Sequence, residues 1–129
     1  MTLKTALVVG SGGFIGAILR MYFTGVFNKV LPWHHIAIGT LGVNIMGSFL
    51  MGGLFAFFSH TELLSPATKS FLSTGILGAL TTYSTFALES FIMLQHGQYS
   101  NFIINITANV AGTIIAVAIG YTLFTYWIK

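Results

Sequence analysis

Long apolar runs alternate with short polar ones along this chain, and the runs are of membrane-crossing length. They occupy about residues 5–27, 36–58, 70–95 and 102–127, with polar connections at Asn28–His35, Ser59–Thr68 and His96–Ser100. A helix rising about 1.5 Å per residue needs roughly 20 apolar residues to cross a hydrocarbon core about 30 Å thick. The pattern therefore predicts an all-α membrane protein of four transmembrane helices, organised as a single membrane domain over residues 1–129. The connections are too short to form a soluble domain. The first run follows Lys4 as a secretory leader would, yet it continues past the length of a leader core and no A-x-A-like site closes it. It is read as a retained helix.

Composition agrees with a lipid setting and removes several functions. Hydrophobic residues make up 55% of the chain and charged residues 5%, with a mean hydropathy of +0.88, whereas a soluble domain is about 25% charged. The chain has no cysteine, which excludes disulfides and thiolate metal sites. Its five Lys and Arg are scattered, so no basic patch grips nucleic acid. His34, His35, His60 and His96 fall in connections or at span ends, without the helical His-x-x-x-His pair of a metal site. No Ser, His and acid trio is suggested either, and the chain is read as a non-enzyme.

Glycines raise one soluble alternative. "VVGSGGFIGAILR", residues 8–20, spaces Gly10, Gly13 and Gly16 like a phosphate-cradling turn. A dinucleotide site also needs an acid about twenty residues further on. That region reads "KVLPWHHIAI", and no acid occurs before Glu62. No nucleotide is expected. Gly12 and Gly16 instead have the small-x-x-x-small spacing that lets transmembrane backbones approach closely, as do Ser48 and Gly52, Gly75 and Ala79, and the run Ala108, Gly112, Ala116, Gly120.

Four spans put both termini on one side of the membrane. Lys4, Lys69 and Lys129 then face one compartment, while Lys29 and a snorkelling Arg20 face the other. So even a balance barely specifies orientation. The expectation is insertion both ways up and assembly as an antiparallel, dual-topology homodimer, which reproduces the symmetry of transporters built from inverted repeats.

Function must reside in the polar groups that a bilayer penalises. "GTLGVNIMGSFLMGG" in the second span carries Asn44 near mid-helix, either as an interhelical hydrogen-bonding residue or as part of a ligand site. The third span, "GILGALTTYSTFALES", packs Thr81, Thr82, Ser84 and Thr85 around Tyr83. Hydroxyl and β-branched residues after Gly75 and Gly78 favour a break near the membrane midplane, and unwound carbonyls there can coordinate a cation. The alternative is an intact helix whose hydroxyls bond back to its own carbonyls. On the fourth span Asn101, Asn105, Asn109 and Thr113 recur every four residues as a drifting stripe, with Asn109 and Thr113 the deeper pair. Arg20 and Glu89 are the strongly charged groups within spans. Arg20 is either an anchor or the positive vestibule of an anion path; Glu89 shares a face with Thr82 and Thr85 and is either a proton carrier or a hydrogen-bonded structural acid.

Taken together, "GGFIGAILR", "GTLGVNIMGSFLMG" and "GALTTYSTF" resemble the signatures of the small bacterial fluoride channels, the Fluc or CrcB family, and the likeness extends over essentially the whole chain. The resemblance implies a fluoride-selective channel of the bacterial cytoplasmic (inner) membrane. Its task there is passive export of the anion left when HF enters and dissociates, giving resistance to fluoride. It further implies an antiparallel homodimer with two pores and a structural Na+ at the dimer centre, held by backbone carbonyls that carry over to Gly78 and Thr81. It places Asn44, Tyr83, Phe86, Ser84, Thr85 and Thr113 along the fluoride pore, beside Asn109 of the stripe, and makes Arg20 the vestibule arginine and Glu89 the third-span acid. Tyr83 stands where the family usually has Phe, which puts a phenol hydroxyl beside the expected ring edge. Fluoride is small and strongly hydrated, so hydroxyls, amide NH₂ groups and the positive edges of aromatic rings suit it.

Two other readings fit part of the pattern. A proton-coupled transporter of the four-helix, dual-topology type matches the span count, but such exporters carry an acid in the first helix and this one has none. A non-transporting assembly factor matches the small-residue packing and leaves the hydroxyl cluster unexplained.

Overall fold

The structure is a computed structural model and describes residues 1–33 and 35–129. Helix α1 runs Leu3–Val30 and α2 Ile38–His60. The third apolar run makes two arms, α3 over residues 66–80 and α4 over Tyr83–Gln95, and α5 spans Tyr99–Ile128. Four rods result, since Leu3–Val30, Ile38–His60, Pro66–Gln95 and Tyr99–Ile128 are each long and apolar enough to cross a membrane.

Polar caps set several of the helix ends, which therefore lie beyond the apolar runs. Thr2 accepts from the Thr5 amide at the start of α1, and Ser65, followed by Pro66, accepts from the Thr68 amide at the start of α3. Helix α2 has no side-chain cap of its own, but Asn28 in the last turn of α1 takes the Gly39 amide at 2.8 Å and so folds the first connection back. Gly97, at φ 68°, ends α4 in the left-handed conformation that closes a helix C-terminus.

The helices pair with their next-but-one neighbours. Gly12 lies against Phe71 and Gly75, and Gly16 against Ile76 and Ala79, so α1 and α3 run parallel. Asn44 faces Asn109 and Gly52 faces Val117 and Tyr121, which sets α2 parallel to α5. Both contacts are backbone on backbone. A methyl at Gly16 would strike the Ile76 carbonyl, one at Gly52 the Val117 carbonyl, and one at Gly120 the Phe49 carbonyl. This is the close approach that small-residue spacing provides. Gly112 does less than its place in the pattern implies, since it meets only the Ile45 side chain.

The third rod is irregular in two places. Phe71–Leu77 is π-helical, with the Gly78 amide reaching back to the Ser73 carbonyl. Hydropathy gives no sign of this widening, which falls where Gly75 meets Gly12. Further along, Thr81 (φ −81°, ψ 156°) and Thr82 (φ −148°, ψ 114°) are extended. The rod is therefore broken at the first two members of the hydroxyl cluster, and the intact-helix alternative does not hold there. Both threonines take part. The Thr81 hydroxyl bonds back to the Leu77 carbonyl at 3.0 Å, while the Thr82 hydroxyl turns forward to accept from the Thr85 amide and start α4.

Candidate functional site

Breaking a helix strands backbone groups, and in a membrane each must be answered from within the protein. The Thr82 amide, which a continuous helix would direct to the Gly78 carbonyl, donates instead to Asn44 Oδ1 at 2.7 Å. Asn44 Nδ2 in turn donates to the Thr82 carbonyl and to Asn109 Oδ1, both at 3.1 Å. One side chain on α2 thus bridges the break in both directions and ties it to α5. Both amide hydrogens of Asn44 are spent in doing so. Of the two readings of Asn44, the interhelical one is met directly.

A groove of about 270 Å³ opens beside this bridge. Among its walls are Asn44, Thr81, Tyr83, Phe86, Asn109 and Thr113, so residues picked from three different spans meet in one place. Ser48 also lines it; its spacing to Gly52 marks it as a packing residue, yet it stands one turn from Asn44 on the same helix. Tyr83 and Phe86 meet edge to face, with ring centroids 5.5 Å apart and planes at 65°. Phe86 is buried, whereas Tyr83 is 78% exposed and projects from the chain's surface. Thr113 reaches the groove with a hydroxyl that donates to the Asn109 carbonyl at 2.6 Å.

The other candidates lie outside the groove. Ser84 and Thr85 are exposed in the first turn of α4, with the Thr85 hydroxyl 2.9 Å from that of Thr82. Arg20 is half-buried on α1, one turn beyond the contact of Gly16 with Ala79. Gly78 is exposed in the last turn of α3, three residues before the half-buried Thr81 of the groove wall. Glu89 lines a separate cavity of about 300 Å³ at the far end of α4, with His35, His96 and Gln98. Its Oε1 accepts from the Thr40 hydroxyl at 2.7 Å, and its Oε2 is buried without a partner. His34 lies outside the described residues. Among those described, no three side chains are placed to hold a metal ion.

Sequence reasoning missed the depth of one more cluster. Asn105 is completely enclosed and donates to Ser90 Oγ at 3.0 Å, while Asn109 Nδ2 donates to the Asn105 carbonyl at 3.0 Å and to its Oδ1 at 3.3 Å. Asn105 stood in the four-residue stripe, but Ser90 did not enter any pattern. A face drawn from Thr82 through Phe86 to Ser90 carries the signal.

Replacing Tyr83 by Phe tests whether the phenol hydroxyl matters. The ring and its edge contact with Phe86 stay, so Tyr83→Phe is expected to leave transport within about twofold of the parent. A larger loss in a vesicle flux assay would assign the function to the hydroxyl.

Residues 7–121 match the family described as CrcB-like protein, Camphor Resistance (CrcB). A protein of Sulfurimonas denitrificans is 52% identical over 121 residues, covering 94% of this chain and 93% of that protein. One of Campylobacter jejuni is 49% identical over 122 residues, covering 95% and 98%. One of Nautilia profundicola is 43% identical over 121 residues, covering 94% of each. All three are named fluoride-specific ion channel FluC. With a match that begins in the second turn of α1 and reaches into the last third of α5, this chain belongs to the CrcB-like family.

Proposed function

We propose that this chain is a fluoride-selective ion channel, a multi-pass protein of the bacterial inner membrane that lets fluoride leave passively. The observation that carries the reading is the groove at the break, which collects two aromatic rings, several hydroxyls and two side-chain amides from three spans in a chain whose relatives are named as fluoride channels. The groove's chemistry suits the anion. Ring edges carry partial positive charge and neutral hydroxyls bind without trapping, whereas a fixed cation in the narrow part would hold fluoride too tightly to release it; the Asn44 amide hydrogens, already committed at the break, shape the groove. Arg20 stands outside the groove, where it raises the local anion concentration. In this reading Ser84 and Thr85 extend the polar path along α4, and close glycine packing keeps the passage too narrow for chloride.

The functional unit in this reading is an antiparallel homodimer, each protomer being a single membrane domain. Support comes from the near-balanced Lys and Arg of the two ends and from Tyr83, whose ring stands largely uncovered by its own protomer. A structural Na+ at the dimer centre fits the donors at hand. The Gly78 carbonyl loses its helical amide because Thr82 has turned to Asn44, and Thr81 is the first non-helical residue. Backbone carbonyls freed in this way are hard oxygen ligands of the kind that bind such a cation. When bound, the ion would supply fixed positive charge beside an anion path.

Purified protein in liposomes is expected to release fluoride to an electrode while chloride stays inside, with a reversal potential that follows the fluoride gradient and ignores an imposed pH gradient. Phe86→Ile removes the buried ring edge and is expected to slow fluoride release at least about tenfold. Comparable chloride currents would defeat the selectivity claim. A reversal potential that tracks protons would favour the proton-coupled transporter instead, a reading that rests on the unpartnered Oε2 of Glu89.

A further inference from the structure

Hydrogen bonds around the break form a closed circuit with a single direction. Thr82 N–H donates to Asn44 Oδ1 at 2.7 Å, Asn44 Nδ2 to Asn109 Oδ1 at 3.1 Å, and Asn109 Nδ2 to Asn105 Oδ1 at 3.3 Å. Asn105 Nδ2 then donates to Ser90 Oγ at 3.0 Å, and Ser90 Oγ to the Phe86 carbonyl at 2.8 Å. The path leaves the residue that caps α4, crosses α2 and α5, and returns to the first turn of α4. Its four side chains are all buried, with exposures of 8% for Asn44, 5% for Ser90, 0% for Asn105 and 4% for Asn109.

The direction follows from what each group can do. The Phe86 carbonyl only accepts, so the one O–H of Ser90 is committed to it and Ser90 has only lone pairs left for Asn105. Asn105 must therefore turn its NH₂ to Ser90 and its oxygen to Asn109. Asn109 must turn its NH₂ to Asn105 and its oxygen to Asn44. Asn44 is left with its NH₂ toward Asn109 and its oxygen toward the Thr82 amide. Reversing one amide would set two NH₂ groups or two oxygens against each other where no bulk water relieves them.

We propose that Ser90 and Asn105 are positioning residues, which orient the amides of Asn44 and Asn109 and so hold the turn from Tyr83 to Phe86 in a fixed place beside the groove. Neither lines the groove. Their action on ion selectivity is indirect, through the spacing of the Tyr83 and Phe86 rings. In its effect on fluoride flux the inference rests on the channel reading above, while its effect on the Thr82 amide does not.

The test pairs two substitutions of nearly equal shape, Ser90→Thr, which keeps the hydroxyl, and Ser90→Val, which lacks it, with Asn105→Ala and the double variant Ser90→Val/Asn105→Ala. Fluoride and chloride flux from liposomes and hydrogen exchange of the Thr82 amide are measured for each. Ser90→Thr is expected to match the parent. Ser90→Val and Asn105→Ala are each expected to lower fluoride flux about tenfold, to narrow its margin over chloride, and to speed Thr82 exchange by a similar factor. The double variant is expected to be no worse than the worse single one, because a circuit already opened cannot be opened again. Parental exchange in Asn105→Ala, equal damage from Ser90→Thr and Ser90→Val, or losses that multiply in the double variant would each overturn the proposal. A parent that conducts no fluoride removes the channel reading, and the exchange measurements then still decide the circuit.

Discussion

An Asn44→Leu variant is expected to carry no measurable fluoride in the liposome assay. Leucine keeps the forked skeleton of asparagine, although it is bulkier and apolar, and three hydrogen bonds are lost. The Thr82 amide and Asn109 Oδ1 are then left unanswered in a buried place, while the Thr82 carbonyl keeps only the bond that an N-cap carbonyl accepts from its own helix. Each such group costs about 1–3 kcal/mol, and the two together roughly 2–6 kcal/mol. The cheapest escape is for the Thr82 amide to return to the Gly78 carbonyl, which straightens the rod, closes the groove and consumes a carbonyl proposed to hold Na+. Asn44→Asp probes the same bridge from the other side. Its carboxylate still accepts from the Thr82 amide, but it has no hydrogen for the Thr82 carbonyl or Asn109 Oδ1 and faces both with like charge. Fluoride release is expected to fall at least about a hundredfold. Release at the parental rate in either variant would take Asn44 out of the site.

The second large effect lies at the interface of α2 and α5. Gly52→Val is expected to prevent recovery of folded protein, or to lower its melting temperature in detergent sharply. A Cβ at Gly52 meets the Val117 carbonyl and comes within 3.0 Å of the Tyr121 nitrogen, and Gly120 faces the Phe49 carbonyl in the same way from the other helix. Backbone atoms cannot swing aside as a side-chain tip does. Relief requires the two helices to separate along their length, so the cost lies at or above the 1–3 kcal/mol, roughly, of ordinary overpacking. Gly25→Ala is the control. Nothing lies within 4 Å of a methyl there, and alanine favours a helix over glycine by about 1 kcal/mol. The control is expected to melt at or above the parental temperature, and a Gly52→Val protein that melted with it would refute the close interface.

What could be read without coordinates divides along a physical line. Hydropathy reports the length of a run in lipid, so the four helices and their order were legible. Spacing by four reports a face of one helix, so the packing roles of Gly12, Gly16, Gly52 and Gly120 were legible too, although Gly112 shows that a place on a face does not supply a partner. The hydroxyl cluster marked the break, because threonine side chains compete with helical hydrogen bonds. Its extent was not legible: only Thr81 and Thr82 leave the helix, since one asparagine can answer one amide and one carbonyl and Thr82 has caught it. The partners of Asn105 and Glu89 were out of reach for a related reason. Ser90 and Thr40 are ordinary on their own helices and gain meaning only from what the neighbouring helix sets opposite them. The π-helical stretch left no compositional trace at all.

The pairing of next-but-one helices bears on how the protein is made. A chain threaded into the membrane from its N-terminus inserts α1 and α2 first, yet the Gly12 and Gly16 face of α1 finds its counterpart only when α3 arrives, and the Gly52 and Gly53 face of α2 only when α5 does. No hairpin of consecutive spans is a finished folding unit. Asn44 in particular enters lipid without either Thr82 or Asn109, gains Thr82 with the third span, and completes its hydrogen bonds only when translation has reached the last span. During that interval the nascent protein displays a polar group in hydrocarbon and a flat glycine surface beside it. A chain stalled after three spans would still show one unanswered N–H of Asn44 and the uncovered Gly52 surface of α2, so completion of the site waits on the last span.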